Sequence, residues 1–169
     1  MPELWTLGVM RTSTEHHPFI WSDAWLLTAV LYTAQPDSSA KLSDIIACGD
    51  GLNHAIFTRG ELETGFSRLI DAGYVVRDAS GFSPTPAVRS FWISSRPESG
   101  NARDAWLAVR TFIRAPAYKP DPLPETDEQR YVTELAYAEA CETYQRQMAP
   151  LIKKYAKHDA SYEGSSVKH

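Results

Sequence analysis

The chain of 169 residues is 43% hydrophobic and 22% charged, with a net charge of −4 and an isoelectric point near 5.7. This length is typical of one domain or of one domain with appendages, and the composition excludes a wholly disordered chain. The acidic balance counts against a dedicated nucleic-acid binder, because neutralisation of phosphates supplies most of the non-specific affinity for DNA.

The ends and the cysteines of the chain favour a cytoplasmic protein. Residues 1–21 form an N-terminal segment without the basic and apolar regions of a signal peptide. No run approaches the roughly 20 apolar residues of a membrane span, so we expect no membrane contact. Cys48 and Cys141 fall inside helical patterns, where a small buried thiol is the common outcome.

Two helices are predicted first. Ser22 is a suitable N-cap for the first helix, which ends at Gln35-Pro36 because the residue before a proline is disfavoured in the α region. Ser39 is a suitable cap for a short second helix, and Gly49-Asp50-Gly51 is expected to end it. These limits leave a long connection before the next helix.

The third helix has the clearest predicted start. Thr58-Arg59-Gly60-Glu61 matches the capping box, in which the Thr and Glu side chains satisfy each other's backbone amides. Apolar residues then recur on one helical face, and Gly73 is placed to end the helix in the left-handed conformation. A small hairpin over residues 74–83 follows, and Thr85-Pro86 opens another helix over residues 87–94.

This order of elements resembles the winged helix-turn-helix superfamily, in particular the small bacterial regulators of the MarR and PadR type. The resemblance covers residues 22–94 and rests on an amphipathic helix that ends in Asp71-Ala72-Gly73-Tyr74-Val75, followed by the hairpin and Ser83-Pro84-Thr85-Pro86. It implies a mainly α fold with a small β-hairpin, namely a winged helix-turn-helix domain plus additional C-terminal helices.

Three further segments are predicted after this domain. Residues 95–125 hold a helix over 102–114, which Asn101 caps, and a stiff connector with four prolines. Thr126-Asp127-Glu128-Gln129 is a second capping box, so a long C-terminal helix is predicted over residues 126–158. Residues 159–169 are expected to form a disordered tail.

The long C-terminal helix predicts a homodimer. A continuous helix of about 31 residues spans roughly 46 Å, which is more than a small domain needs. Such a helix usually buries its apolar stripe on a partner, and the resemblance implies terminal dimerisation helices. The expected dimer contacts are Val132, Leu135, Tyr144, Met148, Leu151, Ile152 and Tyr155.

The resemblance also implies duplex DNA as a partner, because the third helix of winged-helix regulators enters the major groove. Polar and basic residues at the matching positions are the candidate DNA contacts: Arg59, Thr64, Ser67 and Arg68 on the third helix, and Arg77 on the hairpin. The same predicted surface carries Glu61, Glu63 and Asp71, and these acids repel phosphates.

A second candidate surface consists of Arg103, Arg110 and Arg114. These residues share one helical face because they are spaced seven and four apart. Arginine forks suit phosphate or carboxylate groups, which indicates an anion-contact face. The alternative is that the three arginines pair with the acidic first half of the C-terminal helix, within the chain or across a dimer.

The stretch from Cys48 to His54 is the one local cluster of potentially reactive groups. Asp50 and His54 are close enough to touch, but one Cys and one His make a weak metal signal. Gly, Asp and Asn are typical of turns, so a turn with a hydrogen-bonded His is the favoured interpretation. We predict no metal site, no cofactor and no enzyme activity, because catalytic sequence motifs are absent.

Two functions are compatible with these observations. The first is a dimeric winged-helix transcriptional regulator whose third helices meet successive major grooves. The second is a winged-helix module that does not bind DNA and docks another protein, as the acidic third helix and the negative net charge suggest.

Overall fold

The computed structural model describes residues 19–95, 100–117 and 126–163, with side chains up to residue 154. Within these ranges the fold is mainly helical with one two-stranded antiparallel sheet, as predicted. In chain order the elements are α1 (Trp21–Thr33), α2 (Leu42–Asn53), α3 (Arg59–Asp71), β1 (Val75–Arg77), β2 (Phe82–Pro84), α4 (Pro86–Ser95), α5 (Ala102–Ile113) and α6 (Glu134–Glu163).

Helix α1 lies at the centre of the fold and packs against α2, α3, α5 and β2. All its residues from Ser22 to Leu31 are buried, so its apolar residues are not confined to one stripe. The expectation that Ser22 caps this helix is wrong, because the N-cap is Ile20 and Ser22 lies inside the first turn. The carboxylate of Asp23 accepts the backbone N–H of Ile20 at 2.8 Å and satisfies that amide instead.

Helix α2 is longer than predicted. It runs through Gly49-Asp50-Gly51 and ends at His54, whose φ of 53° is left-handed. The prediction that these glycines end the helix is wrong, because Gly49 serves packing: a Cβ at this position would lie 2.2 Å from Cε2 of Phe57. The connection between α2 and α3 therefore shortens to residues 54–58.

The beginning of α2 also differs from the prediction. Lys41 is the N-cap, and Ser39 lies outside the helix. The Ser39 hydroxyl donates instead to the carboxylate of Asp78 at 2.5 Å, so it ties this segment to the hairpin turn.

Helix α3 begins and ends as predicted. Its capping box is present: the Glu61 amide donates to the Thr58 hydroxyl at 3.1 Å, and the Thr58 amide donates to the Glu61 carboxylate at 2.9 Å. At the other end Gly73 has a φ of +73°, and the amides of Gly73 and Tyr74 donate to the carbonyls of Ile70 and Leu69. This is the Schellman arrangement, which needs the left-handed residue.

The hairpin pairs Val75 with Pro84, and Arg77 with Phe82. Ala40, from the segment between α1 and α2, forms an isolated bridge to Phe82 through two backbone hydrogen bonds of 2.8 and 3.0 Å. The segment between α1 and α2 is thus tied to the outer edge of β2. Helix α4 follows directly from Pro86, as predicted, but the Thr85 hydroxyl is buried without a hydrogen-bond partner among the described residues and does not cap it.

The last two helices differ in how well they match the prediction. Asn101 caps α5 by accepting the amide of Arg103 at 2.9 Å, and the helix ends where Arg114 turns left-handed with a φ of 58°. The predicted start of the C-terminal helix at Thr126 is wrong, because residues 126–133 are irregular and Thr133 caps α6 by accepting the amide of Ala136 at 3.1 Å. Its predicted end is also wrong, since residues 159–163 are helical and not a disordered tail. Residues 164–169 lie outside the described part of the chain.

Helix α6 has 30 residues, which corresponds to a length of about 45 Å. Its first half packs on α2, where the Tyr144 hydroxyl donates to the Asp50 carboxylate at 2.5 Å. The Tyr137 hydroxyl donates to the carbonyl of Phe57 at 2.8 Å and fixes the same half beside the start of α3. Among the helices described, none is both long and apolar enough to cross a membrane.

Candidate functional site

The first two turns of α3, on the face that was expected to meet DNA, are covered by residues 126–133, which we call the strap. The strap connects to the start of α6 and lies against α3 and the hairpin through hydrogen bonds with three charged side chains. Two of these belong to α3, Arg59 and Glu63, and the third is Arg77 at the end of β1.

Arg59 is buried, with 8% of its surface exposed. Its guanidinium donates to the strap carbonyl of Glu128 at 2.9 Å and to that of Thr126. The expectation that Arg59 faces solvent is therefore wrong. The guanidinium N–H groups that would contact guanine or phosphate therefore already donate to carbonyls of the strap.

Glu63 is the most buried acid of α3, with 1% of its surface exposed. Its carboxylate accepts the backbone N–H groups of Arg130, Tyr131 and Val132 at 2.6 to 3.1 Å. A buried carboxylate is stable when several donors surround it, and here three consecutive amides do so. Glu63 therefore does not face phosphate in this fold, contrary to the expectation from the helical pattern.

Arg77 extends the strap contact onto the hairpin. Its guanidinium donates to the carbonyl of Arg130 at 3.1 Å and lies 5.9 Å from the ring centroid of Phe82. Arg77 is exposed, so water also reaches this contact. The strap thus runs from the first turn of α3 to the hairpin.

Arg68 is held on the other side of α3. Its guanidinium donates to both carboxylate oxygens of Asp23, each at 2.7 Å, and so joins α3 to the start of α1. Burial raises the pKa of Asp23 above its ordinary value, although the hydrogen bond and charge of Arg68 oppose this shift. A bidentate pair of this kind leaves little of the guanidinium for a base or a phosphate.

The open face of α3 consists of Thr64, Ser67 and Asp71. The Thr64 hydroxyl donates to the carbonyl of Gly60 at 2.7 Å, and the Ser67 hydroxyl lies 3.4 Å from the Asp71 carboxylate. This face carries one acid and no base. Three of the five candidate DNA contacts, Arg59, Arg68 and Arg77, therefore donate hydrogen bonds to other groups of the chain. Only Thr64 and Ser67 lie on the open face.

No sequence signal connects α3 with the strap. Glu63 and its three partner amides are 67 to 69 residues apart, and backbone amides carry no residue identity. A glutamate on the polar side of an amphipathic helix is ordinarily solvated, so its pattern predicts exposure. The contact depends on where the chain returns, which is a tertiary property.

Part of the predicted dimer surface is buried inside the chain. Val132 belongs to the strap and is fully buried, and Tyr144 is buried against α2. Met148 packs against the same core. The prediction that Val132 and Tyr144 contact a second copy is therefore wrong for this fold.

The other predicted dimer residues lie on the surface of α6. Leu135, Leu151 and Ile152 are 69%, 46% and 63% exposed. Leu151 and Ile152 follow directly after the part of α6 that packs on the core, while the side chain of Tyr155 lies outside the described residues. We call Leu151 and Ile152 the overhang.

Within the described part of the chain, Arg103, Arg110 and Arg114 do not pair with α6, and their pairing across a dimer stays a prediction. No described hydrogen bond or ion pair joins Arg103, Arg110 or Arg114 to an acid of that helix. Arg110 lies over the ring of Trp106, with Cζ 5.5 Å from the ring centroid, whereas Arg103 and Arg114 are exposed. The exposed arginines that remain candidates for anion contact are therefore Arg103 and Arg114, at the two ends of α5.

The stretch from Cys48 to His54 is part of α2 and not a turn. The amide of His54 donates to the carbonyl of Asp50 at 2.7 Å as an ordinary helix end, and the Asp50 side chain binds Tyr144. Burial raises the pKa of Cys48 to about 11, so its thiol is protonated near neutral pH. Within the described ranges, no three His, Cys, Asp or Glu side chains are grouped as metal ligands would be.

A cavity of about 340 Å³ lies away from the strap, between the ends of three helices. The sequence pattern did not predict this cavity. Comparisons of the chain with protein-family models, with curated proteins and with solved structures gave no match.

Proposed function

We propose that this chain is a winged-helix protein that does not read DNA through α3 and that acts as a homodimeric protein-interaction module. The observation that carries the proposal is the burial of Arg59 and Glu63 beneath the strap. In this arrangement α3 is a docking surface for the chain's own C-terminal part. The dimer contact lies elsewhere, on the overhang of α6.

The order and pairing of the elements support the winged-helix assignment. Three helices are followed by a hairpin, and the Ala40 bridge adds the segment between the first two helices to that hairpin. Extension of α2 to Asn53 leaves five residues before α3, closer to the short turn of a helix-turn-helix than the sequence suggested.

Charge supports the part of the proposal that concerns DNA. A helix that enters the major groove needs donors on its exposed side, and phosphate contacts need cations around it. The open face of α3 has Asp71 and no base, and the whole chain has a net charge of −4. The acid on the open face and the negative net charge therefore disfavour the approach of a duplex along α3.

The overhang supports the homodimer. In the first half of α6, Ala140 and Tyr144 are buried and Met148 packs on the core. Leu151 continues the same helical face as Tyr144 and Met148, because residues three, four and seven apart lie on one side of a helix. At Leu151 this face extends beyond the core of its own chain and is exposed. Contact with a second copy of α6 buries this apolar surface and removes it from water.

The DNA part is tested by titration of a mixed-sequence duplex at low ionic strength with up to about 100 μM protein, the weak end of ordinary non-specific affinity. We expect no binding by the wild type. The matched variant Ser67→Glu adds an acid to the open face and should change nothing. Binding that weakens with salt and that Ser67→Glu abolishes would contradict the proposal.

The dimer part is tested by sedimentation equilibrium at micromolar concentration. We expect a dimer that the double variant Leu151→Lys, Ile152→Lys converts to a monomer. Leu135→Lys is the matched control, because Leu135 is exposed and lies nine residues, or about 180° around the helix, from Tyr144. A wild-type monomer, or equal dissociation by Leu135→Lys, would show that the overhang is not the interface.

A further inference from the structure

The cavity lies at the meeting point of the start of α1, the end of α2 and the start of α5. It has a volume of about 340 Å³ and is separate from the strap, so the inference below goes beyond the proposed function. Its lining combines three indole rings with a small number of polar groups: Trp21, Trp25, Trp106, Leu52, Asn53, Ala102 and Arg103.

The aromatic walls of the cavity are held in place by contacts with one another and with the core. The ring of Trp21 lies 5.7 Å from that of Trp106 and 5.8 Å from that of Trp25, at angles of 50° and 52°. Trp25 stacks on Phe57 at 3.6 Å, and its N–H donates to the carbonyl of Gly49 at 2.9 Å. These walls are therefore rigid, and tilted rings of this kind present faces and edges to a flat ligand.

One donor at the cavity lacks a described partner. The guanidinium of Arg103 is exposed and makes no described hydrogen bond or ion pair. An anionic ligand that reaches this guanidinium gains a charge-assisted hydrogen bond.

Arg110 reinforces this arrangement from outside the cavity. Its guanidinium lies over the Trp106 ring, with Cζ 5.5 Å from the ring centroid, and this contact helps to hold the ring in place. The site thus has a rigid aromatic wall and one cation. Within the part of the chain that the structure describes, no carboxylate belongs to its lining.

We propose that this cavity binds a small aromatic carboxylic acid. Its volume is at the low end of the range for ligand pockets, so it suits a molecule with one or two fused rings. The carboxylate pairs with Arg103, and the ring packs against the indoles of Trp21 and Trp106.

The first experiment is calorimetric titration of the full chain with three probes of similar size. These are 1-naphthoate, the neutral 1-naphthamide, and the saturated acid decahydronaphthalene-1-carboxylate. We expect 1-naphthoate to bind at least about 10-fold more tightly than either of the others, because only it has both the charge and the aromatic ring. Equal binding of all three, or no binding of 1-naphthoate at millimolar concentration, would overturn the proposal.

Variants then locate the site. Arg103→Gln should weaken binding of 1-naphthoate by about 10- to 100-fold, the range for loss of a charge-assisted hydrogen bond, and should change binding of 1-naphthamide by less than about twofold. Arg146→Gln, an exposed arginine on α6 outside the cavity, is the matched control and should have no effect. If Arg103→Gln behaves like Arg146→Gln, the proposal is wrong.

Trp106→Leu tests the aromatic wall separately. It removes the indole ring, and we expect binding of 1-naphthoate to weaken by about fivefold. Thermal unfolding of this variant is measured alongside, and Arg103→Gln remains the decisive variant if Trp106→Leu fails to fold. Neither outcome depends on the oligomeric state or on DNA, so this proposal can fail while the proposed function holds.

Discussion

Helix α3 and the second half of α6 contrast in how they use their side chains. On α3, two charged residues, Arg59 and Glu63, are buried and fully engaged by the strap. On α6, two large apolar residues, Leu151 and Ile152, are exposed. The polar residues are enclosed and the apolar residues are open, which is the reverse of what residue type alone predicts.

The contrast shows that polarity is tolerated in the interior when each group finds a partner. Glu63 meets three amides of an irregular segment that has no sheet or helix partner of its own, so acid and strap satisfy each other. The overhang has no such partner within the described residues. It is therefore the part of the surface where association with a second chain is most favourable.

The largest effect is expected from loss of the Glu63 carboxylate. Glu63→Ala leaves three amides of the strap without their acceptor, the buried one of Val132 and the part-buried ones of Arg130 and Tyr131, and we expect the free energy of unfolding to fall by about 3 to 5 kcal/mol. Urea denaturation followed by circular dichroism measures the change. Glu142→Ala, an exposed acid on α6, should stay within about 0.5 kcal/mol of the wild type. Equal values for the two variants would mean that α3 does not hold the strap.

Two glycines on α2 are expected to respond in opposite directions to the same substitution. A Cβ at Gly49 would lie 2.2 Å from the Phe57 ring, so we expect Gly49→Ala to destabilise the fold by about 2 kcal/mol or more. At Gly51 nothing lies within 4 Å of the added Cβ, and Gly51→Ala should stabilise the helix by about 0.5 to 1 kcal/mol. Thermal unfolding of both variants gives the two signs directly. Destabilisation by both would indicate that α2 ends at these glycines.

The packed half of α6 is tested through Tyr144. Its hydrogen bond to Asp50, together with burial, raises the pKa of Tyr144 to about 12. A raised phenol pKa stabilises the fold fully below the unfolded pKa of about 10, and this contribution is lost as the pH rises through about 12. Tyr144→Phe should cost about 1 kcal/mol near neutral pH and should flatten the alkaline decline in stability. An unchanged alkaline decline would show that another group causes it.

The smallest effect is expected from the overhang in the isolated monomer. At concentrations below dimer dissociation, Ile152→Lys should change the free energy of unfolding by less than about 0.5 kcal/mol, because the side chain is already exposed. Unfolding of wild type and variant over a dilution series measures this. A large loss of stability at the lowest concentration would mean that Ile152 packs within its own chain and that the comparison with α3 is wrong.

Local signals allowed part of this fold to be predicted. The capping box at Thr58 and the left-handed Gly73 define α3 because each acts on backbone groups only a few residues away. Asn101 defines the start of α5 for the same reason. The second apparent capping box at Thr126 failed, since Glu63 and Arg59 bind the backbone groups that a helix there would use.

Local sequence signals therefore define the limits of α3 and α5, the position of the hairpin and the presence of a long C-terminal helix. These properties follow from periodicity and from capping over short separations. Which polar side chains are exposed and which are bound by other parts of the chain depends on the tertiary structure. The strap encloses Arg59 and Glu63, Asp23 holds Arg68, and α6 passes beyond the core at Leu151. The physical reason is that each of these contacts joins residues far apart in the chain, where no local pattern records which partner arrives.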